Sequence, residues 1–234
     1  MKVAPAAAVL LLLGAAACGS GAAHGGSALP RPAGDYSAKV DNPWFPLRPG
    51  SKWVYTGTKD GQPSRELVTV THRTRTIAGA QCIAVRDNLY LSGRLGERTT
   101  DWYSQDGDGT VWYFGEATAE LDKKGRVTSR EGSWLAGRDG AQPGIFMPAE
   151  PKVGATFRQE FYKGHAEDHF RIQAIGVPVR VPYGRSANAL KTREWTPLEP
   201  GAIDFKWYVR GVGTVKELAK DGSERAVLVS FRRA

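Results

Sequence analysis

The stretch Asp101-Trp102-Tyr103-Ser104-Gln105-Asp106-Gly107-Asp108-Gly109-Thr110-Val111-Trp112-Tyr113-Phe114 decides the fold. Two runs rich in aromatic and β-branched side chains flank an Asp-Gly-Asp-Gly segment. The flanks favour a pleated strand, and Asp-Gly accepts the backbone of a tight turn, so the stretch reads as a β-hairpin. Asp-Gly-Asp-Gly also begins like a calcium loop, but no Glu stands where such a loop would end, and the hairpin is the better account.

The same signals recur outward from there. Trp53-Val54-Tyr55-Thr56, Leu67-Val68-Thr69-Val70-Thr71, Cys82-Ile83-Ala84-Val85 and Val227-Leu228-Val229-Ser230-Phe231 read as strands, with turns at Asp60-Gly61, Lys124-Gly125 and Asp221-Gly222. Alternation places Phe170, Ile172 and Ala174 toward a core and His169, Arg171 and Gln173 away from it. No amphipathic helix of three turns is found. Hairpin-length connections cannot make parallel crossovers, so the fold class is all-β and mainly antiparallel.

An internal repeat organises these strands. Pro49-Gly50-Ser51-Lys52-Trp53 returns in weaker form as Val153-Gly154-Ala155-Thr156-Phe157. Gly79 through Arg86 matches Gly184 through Lys191, and Trp102-Tyr103 with Gly109-Thr110-Val111 matches Trp207-Tyr208 with Gly213-Thr214-Val215. The offset stays at about 105 residues, which predicts two similar β units packed face to face or joined as a curved sheet or partial barrel. Repeat 1 covers 45–115 and repeat 2 covers 150–234. The connecting segment 116–150 shows little periodicity and is expected to act as a cover, its part 132–150 folding back over the junction and burying Ile145 and Phe146.

The N-terminus supplies an address. Met1-Lys2, the apolar run Val9–Leu13 and Ala15-Ala16-Ala17-Cys18 form a secretory signal too short to span a bilayer. Ending on a cysteine, it resembles the bacterial lipoprotein signal, which makes residues 1–18 a signal peptide with Cys18 as the lipidated residue; Ala15 departs from the usual Leu, and an ordinary secretory peptide is the alternative. The other cysteine, Cys82, lies in an apolar run and reads as an inert buried thiol. Residues 19–42, rich in Gly, Ala, Ser and Pro, read as a flexible tether ahead of a β domain over 43–234. The net charge of +8 is scattered with no basic run of five or more. Nucleic acid is not an expected partner, since no recognition motif for it is present.

Asn42-Pro43-Trp44-Phe45-Pro46-Leu47-Arg48-Pro49-Gly50, Asp101 through Asp106, Val111 through Glu116, Asp139-Gly140-Ala141-Gln142-Pro143-Gly144 and Glu194 through Gly201 resemble motifs of a widespread family of uncharacterised bacterial secreted proteins and lipoproteins. The resemblance spans nearly all of the chain after the tether. It implies an exported β domain and transfers no catalytic residue; the expected lipid on Cys18 would hold that domain on the outer face of the cell membrane.

Candidate chemistry is sparse. His165, Glu167 and His169 would share one face of an extended strand and are the nearest approach to a metal set, but a polar turn is the preferred reading. No nucleophile, zinc or phosphate-loop motif is present, so no catalytic residue and no cofactor is assigned. Trp53, Trp102, Trp112 and Trp207 with Tyr55, Tyr103, Tyr113 and Tyr208 are expected to converge, the tryptophans mainly as core. Tyr103, Tyr113, Trp134, Phe146 and Tyr208 are the candidate lining of a cleft for a small apolar or amphipathic ligand. The alternatives are a lipoprotein docking to another envelope component and a hydrolase using Asp101, Glu116, Glu160, Glu167 or Asp168. Acylation of Cys18 predicts that Cys18→Ala loses metabolic fatty-acid label and moves to the soluble fraction; a mutant that stays with the membrane contradicts the anchor.

Overall fold

A computed structural model describes residues 33–234. The expected signal peptide, Cys18 and the tether as far as residue 32 lie outside the described residues. From there the chain forms strands β1 Lys52–Lys59, β2 Gln62–Ile77, β3 Ala80–Leu91, β4 Arg94–Gln105, β5 Val111–Leu121, β6 Val127–Ser129, β7 Trp134–Leu135 and β8 Gln142–Met147. β9 Thr156–Arg158, β10 Glu160–Phe161, β11 His169–Val181, β12 Gly184–Trp195, β13 Ile203–Val209, β14 Gly213–Ala219 and β15 Glu224–Arg232 follow. All fifteen belong to one antiparallel sheet in the order β10-β8-β5-β4-β3-β2-β1-β15-β14-β13-β12-β11-β9, with β6 and β7 paired to β5. The all-β, antiparallel reading holds.

Turn chemistry sets the hairpins. Asp60 (φ 49°) and Gly61 (φ 72°) join β1 to β2, and Ser92 (φ 50°) and Gly93 (φ 80°) join β3 to β4. Two successive positive φ values match the twist of the flanking strands. Between β4 and β5, Asp106 Oδ1 accepts the backbone N–H groups of Asp108 (3.1 Å) and Thr110 (3.0 Å), while Oδ2 accepts Trp112 Nε1–H at 2.8 Å. The Asp106 carboxylate therefore holds a hairpin.

Six residues close the sheet on itself. β9 pairs with β11, Phe157 opposite Phe170, while β10 pairs with β8, Glu160 opposite Pro143. Residues 156–161 therefore leave one sheet edge and join the other, turning at Gln159, and the result is a nearly closed barrel. Closure also hides edges that would otherwise present unpaired backbone groups.

Alternation divides side chains between the two faces. Trp53, Tyr55, Tyr103, Tyr113 and Tyr208 point inward, all at most 7% exposed. The neighbouring Trp102, Trp112 and Trp207 take the opposite face, so the expected convergence of all eight rings is corrected: period two separates each Trp-Tyr pair. On the outer face Trp207 lies beneath Lys191 (4.8 Å) and Lys216 (4.5 Å), and Arg75 covers Trp102 at 4.7 Å. Cations over rings shield apolar surface that the barrel cannot bury.

The matched segments carry matched local features. Gly50 and Gly154 both sit at φ 90° and donate to Val70 O (2.8 Å) and Ile172 O (2.9 Å). Register shifts follow both Trp102 and Trp207. β1 pairs with β15, from Lys52 opposite Arg232 to Lys59 opposite Glu224, so the strands form one curved sheet around one core.

Two boundaries are corrected. The tether expected over 19–42 ends earlier, because Tyr36, Val40 and Asn42 are buried at 5%, 3% and 2%, and Asn42 Nδ2 donates to Gly109 O at 2.9 Å. The connecting segment 116–150 is not structureless: β5 runs into it, and β6, β7 and β8 follow as strands of 3, 2 and 6 residues. β8 is a sheet strand beside β5, and Ile145 and Phe146 are half-buried.

Closure predicts an asymmetry between two glycines. A Cβ on Gly144 would overlap the backbone carbonyl of Gln159, whereas Gly184 has open space around it. Gly144→Ala should cost at least about 1–3 kcal/mol in chemical denaturation and Gly184→Ala under about 0.5. Equal effects would mean that the closing run does not hold against β8.

Candidate functional site

The nearly closed sheet lines a half-open cavity of about 290 Å³. One wall is aromatic. Tyr103 and Tyr113, opposite each other on β4 and β5, stack at 4.9 Å, and Phe146 from β8 meets them edge-on at 4.9 and 5.8 Å. Phe45 from the N-terminal segment covers Phe146 at 4.4 Å. Segment 36–49 is held there because Ser37 bridges Gln105 and Leu47 bridges Val40, with Trp44 and Leu47 each 3% exposed.

The other wall is acidic. Glu66, Asp87, Asp101, Glu160 and Asp168 line it with a single cation, Lys206. The strand period explains their convergence. Glu66 and Val68 share the inward face of β2, Val85 and Asp87 that of β3, and Asp101 and Tyr103 that of β4. Glu160 arrives on the closing run, whose N–H groups at Gln159 and Glu160 donate to Asp168 O at 2.7 and 3.2 Å. Glu116 stands directly opposite Asp101.

Hydrogen bonds tie the two walls together. Tyr113 Oη donates to Asp101 Oδ1 at 2.6 Å, placing Asp101 at the end of the aromatic stack. Lys206 Nζ binds Glu194 Oε2 at 3.0 Å and Glu217 Oε1 at 3.6 Å, with 20% of its side chain exposed. Lys59 pairs with Glu224 at 3.4 Å. The lining cation Lys206 is therefore taken up by Glu194 and Glu217, and the carboxyls that line the cavity exceed the charge available to balance them.

Burial and mutual repulsion show in the titration of these groups. Desolvation pushes the Asp101 carboxyl up to about 7 against the lowering effect of the Tyr113 hydroxyl. Desolvation and then the Asp168 charge push Glu160 up to about 8. Glu217 also rises to about 8, through burial that outweighs Lys206. Burial raises Asp87 well above the ordinary carboxyl range and raises Glu66 as well, and the two share a side-chain hydrogen bond, which requires a proton between them. Asp168 is raised by burial and Glu116 by burial and then Glu160. Burial opposes charge on Lys206, but Glu194 and Glu217 hold its ammonium well above the usual lysine value.

The residues singled out from sequence fall in several places. Tyr103, Tyr113 and Phe146 line the cavity. Trp134 on β7 backs it, 4% exposed and edge-on to Tyr113 at 5.4 Å. Tyr208, 2% exposed, lies beyond the lining, its hydroxyl 3.4 Å from Glu194 Oε1. Asp101, Glu160 and Asp168 meet in the acidic wall with Glu116 behind, while Glu167 turns away to accept Gly164 N–H at 2.7 Å. His165 stacks on Tyr162 at 4.3 Å and His169 on Trp195 at 5.7 Å, so the two histidines have separate surroundings. Among the described residues no three His, Cys, Asp or Glu side chains are grouped to hold a metal ion. Cys82 is fully buried, its thiol pushed up to about 12 by desolvation. Sequence reasoning missed Glu66, Asp87 and Lys206; their signal was a shared parity with the inward Val68, Val85 and Tyr208.

A scan of protein-family models finds no match for the chain, and a search of curated proteins finds none. Among solved structures it is similar to a protein of Bacteroides fragilis described as exported, with a YmcC-like fold, at 13% identity and a TM-score of 0.45, covering 81% of this chain and 99% of that one. It is also similar to a protein of Parabacteroides distasonis described as a lipoprotein, at 12% identity and a TM-score of 0.42, covering 81% and 98%. At that similarity a functional reading rests on the chain's own site.

The raised carboxyls give the fold a pH dependence of definite sign. Asp101, Glu160 and Glu217 bind protons more tightly folded than unfolded, so their contribution is fully present below their ordinary values near 4 and is lost as pH rises toward 7 and 8. The melting temperature should fall between pH 5 and pH 8 by more than the roughly 2–4 °C that corresponds to 1 kcal/mol in a domain of this size. Asp101→Asn with Glu160→Gln should flatten that slope. A melting temperature that rises over this window would show that the interior carboxyls are ionised.

Proposed function

We propose that the protein is an exported, lipid-anchored binding protein that holds a small amphipathic molecule inside its barrel on the outer face of the cell membrane. The observation that carries this reading is the cavity: about 290 Å³ between a wall of stacked rings and a wall of carboxyls. Ligand sites are concave and mainly apolar, with a few convergent polar groups, and this volume lies at the lower end of their range. Phe45, Tyr103, Tyr113 and Phe146 offer faces for the apolar part. Asp87, Asp101 and Glu160 offer polar contacts for the other end. The anchor follows from the sequence ending at Cys18, and two acyl chains or more give lasting attachment.

The alternative reading as a carboxylate hydrolase has less support. An acid and base pair needs one carboxyl kept protonated while its partner stays ionised, and here burial moves Asp101 and Glu160 in the same direction. Native mass spectrometry of the full chain, extracted from its own host in mild detergent, should show a bound small molecule released on denaturation. Phe146→Asp, which sets a charge into the aromatic wall, should lose it. A wild-type protein that carries nothing from its host would count against the binding role.

A further inference from the structure

We infer that the molecule held in the barrel carries an organic cation, an ammonium or a related group, received by the carboxyls of Asp87 and Asp101 at the edge of the Tyr103–Tyr113 stack. The inference rests on the binding role proposed above and names its ligand class.

The charge inventory of the interior is the starting point. Five carboxyls line the cavity, from β2, β3, β4, β10 and the segment before β11, and Lys206 is already bound by Glu194 and Glu217. A chain with a net charge of +8 has gathered an acidic basin inside, while its outer face shows Lys191, Arg193 and Lys216 over aromatic rings. One polar atom of this basin is under-supplied with donors. Asp87 Oδ1 is shut off from solvent and no N–H or hydroxyl reaches it, so the proton shared with Glu66 is the one donor this carboxyl has. Unfilled buried polar atoms cost stability, which a ligand that satisfies them can restore.

The basin does not fit a metal ion, because its carboxyls are spread over the wall rather than grouped. An anionic head would meet the carboxyls, and Lys206, the cation of that wall, is already bound by Glu194 and Glu217. An organic cation fits both walls: it pairs with carboxylates and is attracted by the faces of aromatic rings. Entry of the cation displaces one proton. The ammonium binds, a carboxyl gives its proton to solvent, and the charge inside the barrel is unchanged.

Every element facing this point contributes to the resulting pH dependence: Lys59 and Tyr55 from β1, Glu66 from β2, Asp87 from β3, Glu97, Asp101 and Tyr103 from β4, and Glu116 with Tyr113 from β5. Glu160, Asp168, Glu194, Asp204 with Lys206 and Tyr208, Glu217 and Glu224 complete the circuit. Acids predominate, and the sign follows: acid conditions refill the carboxyls with protons and expel the cation.

Calorimetry on the full chain in detergent tests this with three probes of one shape, 2-phenylethylamine, 2-phenylethanol and 3-phenylpropionate. The amine should bind at least about tenfold tighter than the alcohol at pH 7.5, a difference of about 1.4 kcal/mol. The propionate should bind weakest. The heat of amine binding should vary with the ionisation enthalpy of the buffer, reporting a released proton, and amine affinity should drop at least about tenfold from pH 8 to pH 5. Asp87→Asn with Asp101→Asn should bring the amine down to the alcohol and leave the alcohol unchanged; the pH series needs no variant and stands if that double mutant fails to fold. Equal binding of amine and alcohol with no proton release overturns the cation and leaves the cavity as an apolar site. Failure of all three probes overturns the inference and counts against the cavity as a site at all.

Discussion

The run Thr156–Phe161 is the constraint on which the rest depends. With its first half paired to β11 and its second half to β8, two sheet edges that would be far apart in an open meander are held six residues from each other. Without that crossing, the inward faces of β2, β3 and β4 would line an open trough, and Asp87 and Asp101 would be ordinary hydrated side chains. With it, they are desolvated, and the same run delivers Glu160 to their wall. Closure therefore makes both the cavity and the electrostatics of its wall.

A barrel of this size could have filled itself with side chains, as small barrels do. Here one part of the interior is filled by Trp53, Val70, Ile83, Leu190 and Leu228. The remainder carries acids on inward positions. A carboxyl placed there gives up hydration and gains little from its neighbours, most of which are also acids, and the raised titration of Asp101 and Glu160 is the thermodynamic mark of that cost. Folding stability alone would favour apolar residues at these sites, since replacing buried charged groups by well-packed apolar ones is often stabilising. A barrel that keeps them retains polar capacity at the expense of its own stability, which is a pattern of binding sites.

Much of the architecture was legible because strand and turn chemistry act locally. The Asp-Gly turns and the β-branched and aromatic runs name the hairpins, and the alternation Phe170-Arg171-Ile172 names the buried face. The segment 116–150 was not legible as sheet, since strands of two or three residues are shorter than one clear alternation. Tyr36 and Val40 were absorbed into a tether by their Gly- and Pro-rich surroundings, although their side chains pack against the core. The Trp-Tyr pairs were legible as strand, but their expected convergence ignored the consequence of adjacency: neighbours in a strand face opposite ways.

The candidate site was legible on its aromatic side and partly on its acidic one, where Asp101, Glu160 and Asp168 stood out among the carboxylates. Tyr103, Tyr113 and Phe146 announce a buried surface by composition, whereas Glu66 and Asp87 read as solvated positions, as acids in strands normally are. What marks them is parity. Glu66 stands two residues from Val68 and Asp87 two from Val85, so each acid shares a face with a side chain that has to be buried. Parity tells which face of a strand an acid occupies, but the outcome for that acid depends on whether the face is closed over, and closure is set by residues 156–161, about seventy to ninety positions away. The site is therefore a property of chain topology, and local sequence could supply its components without showing that they meet.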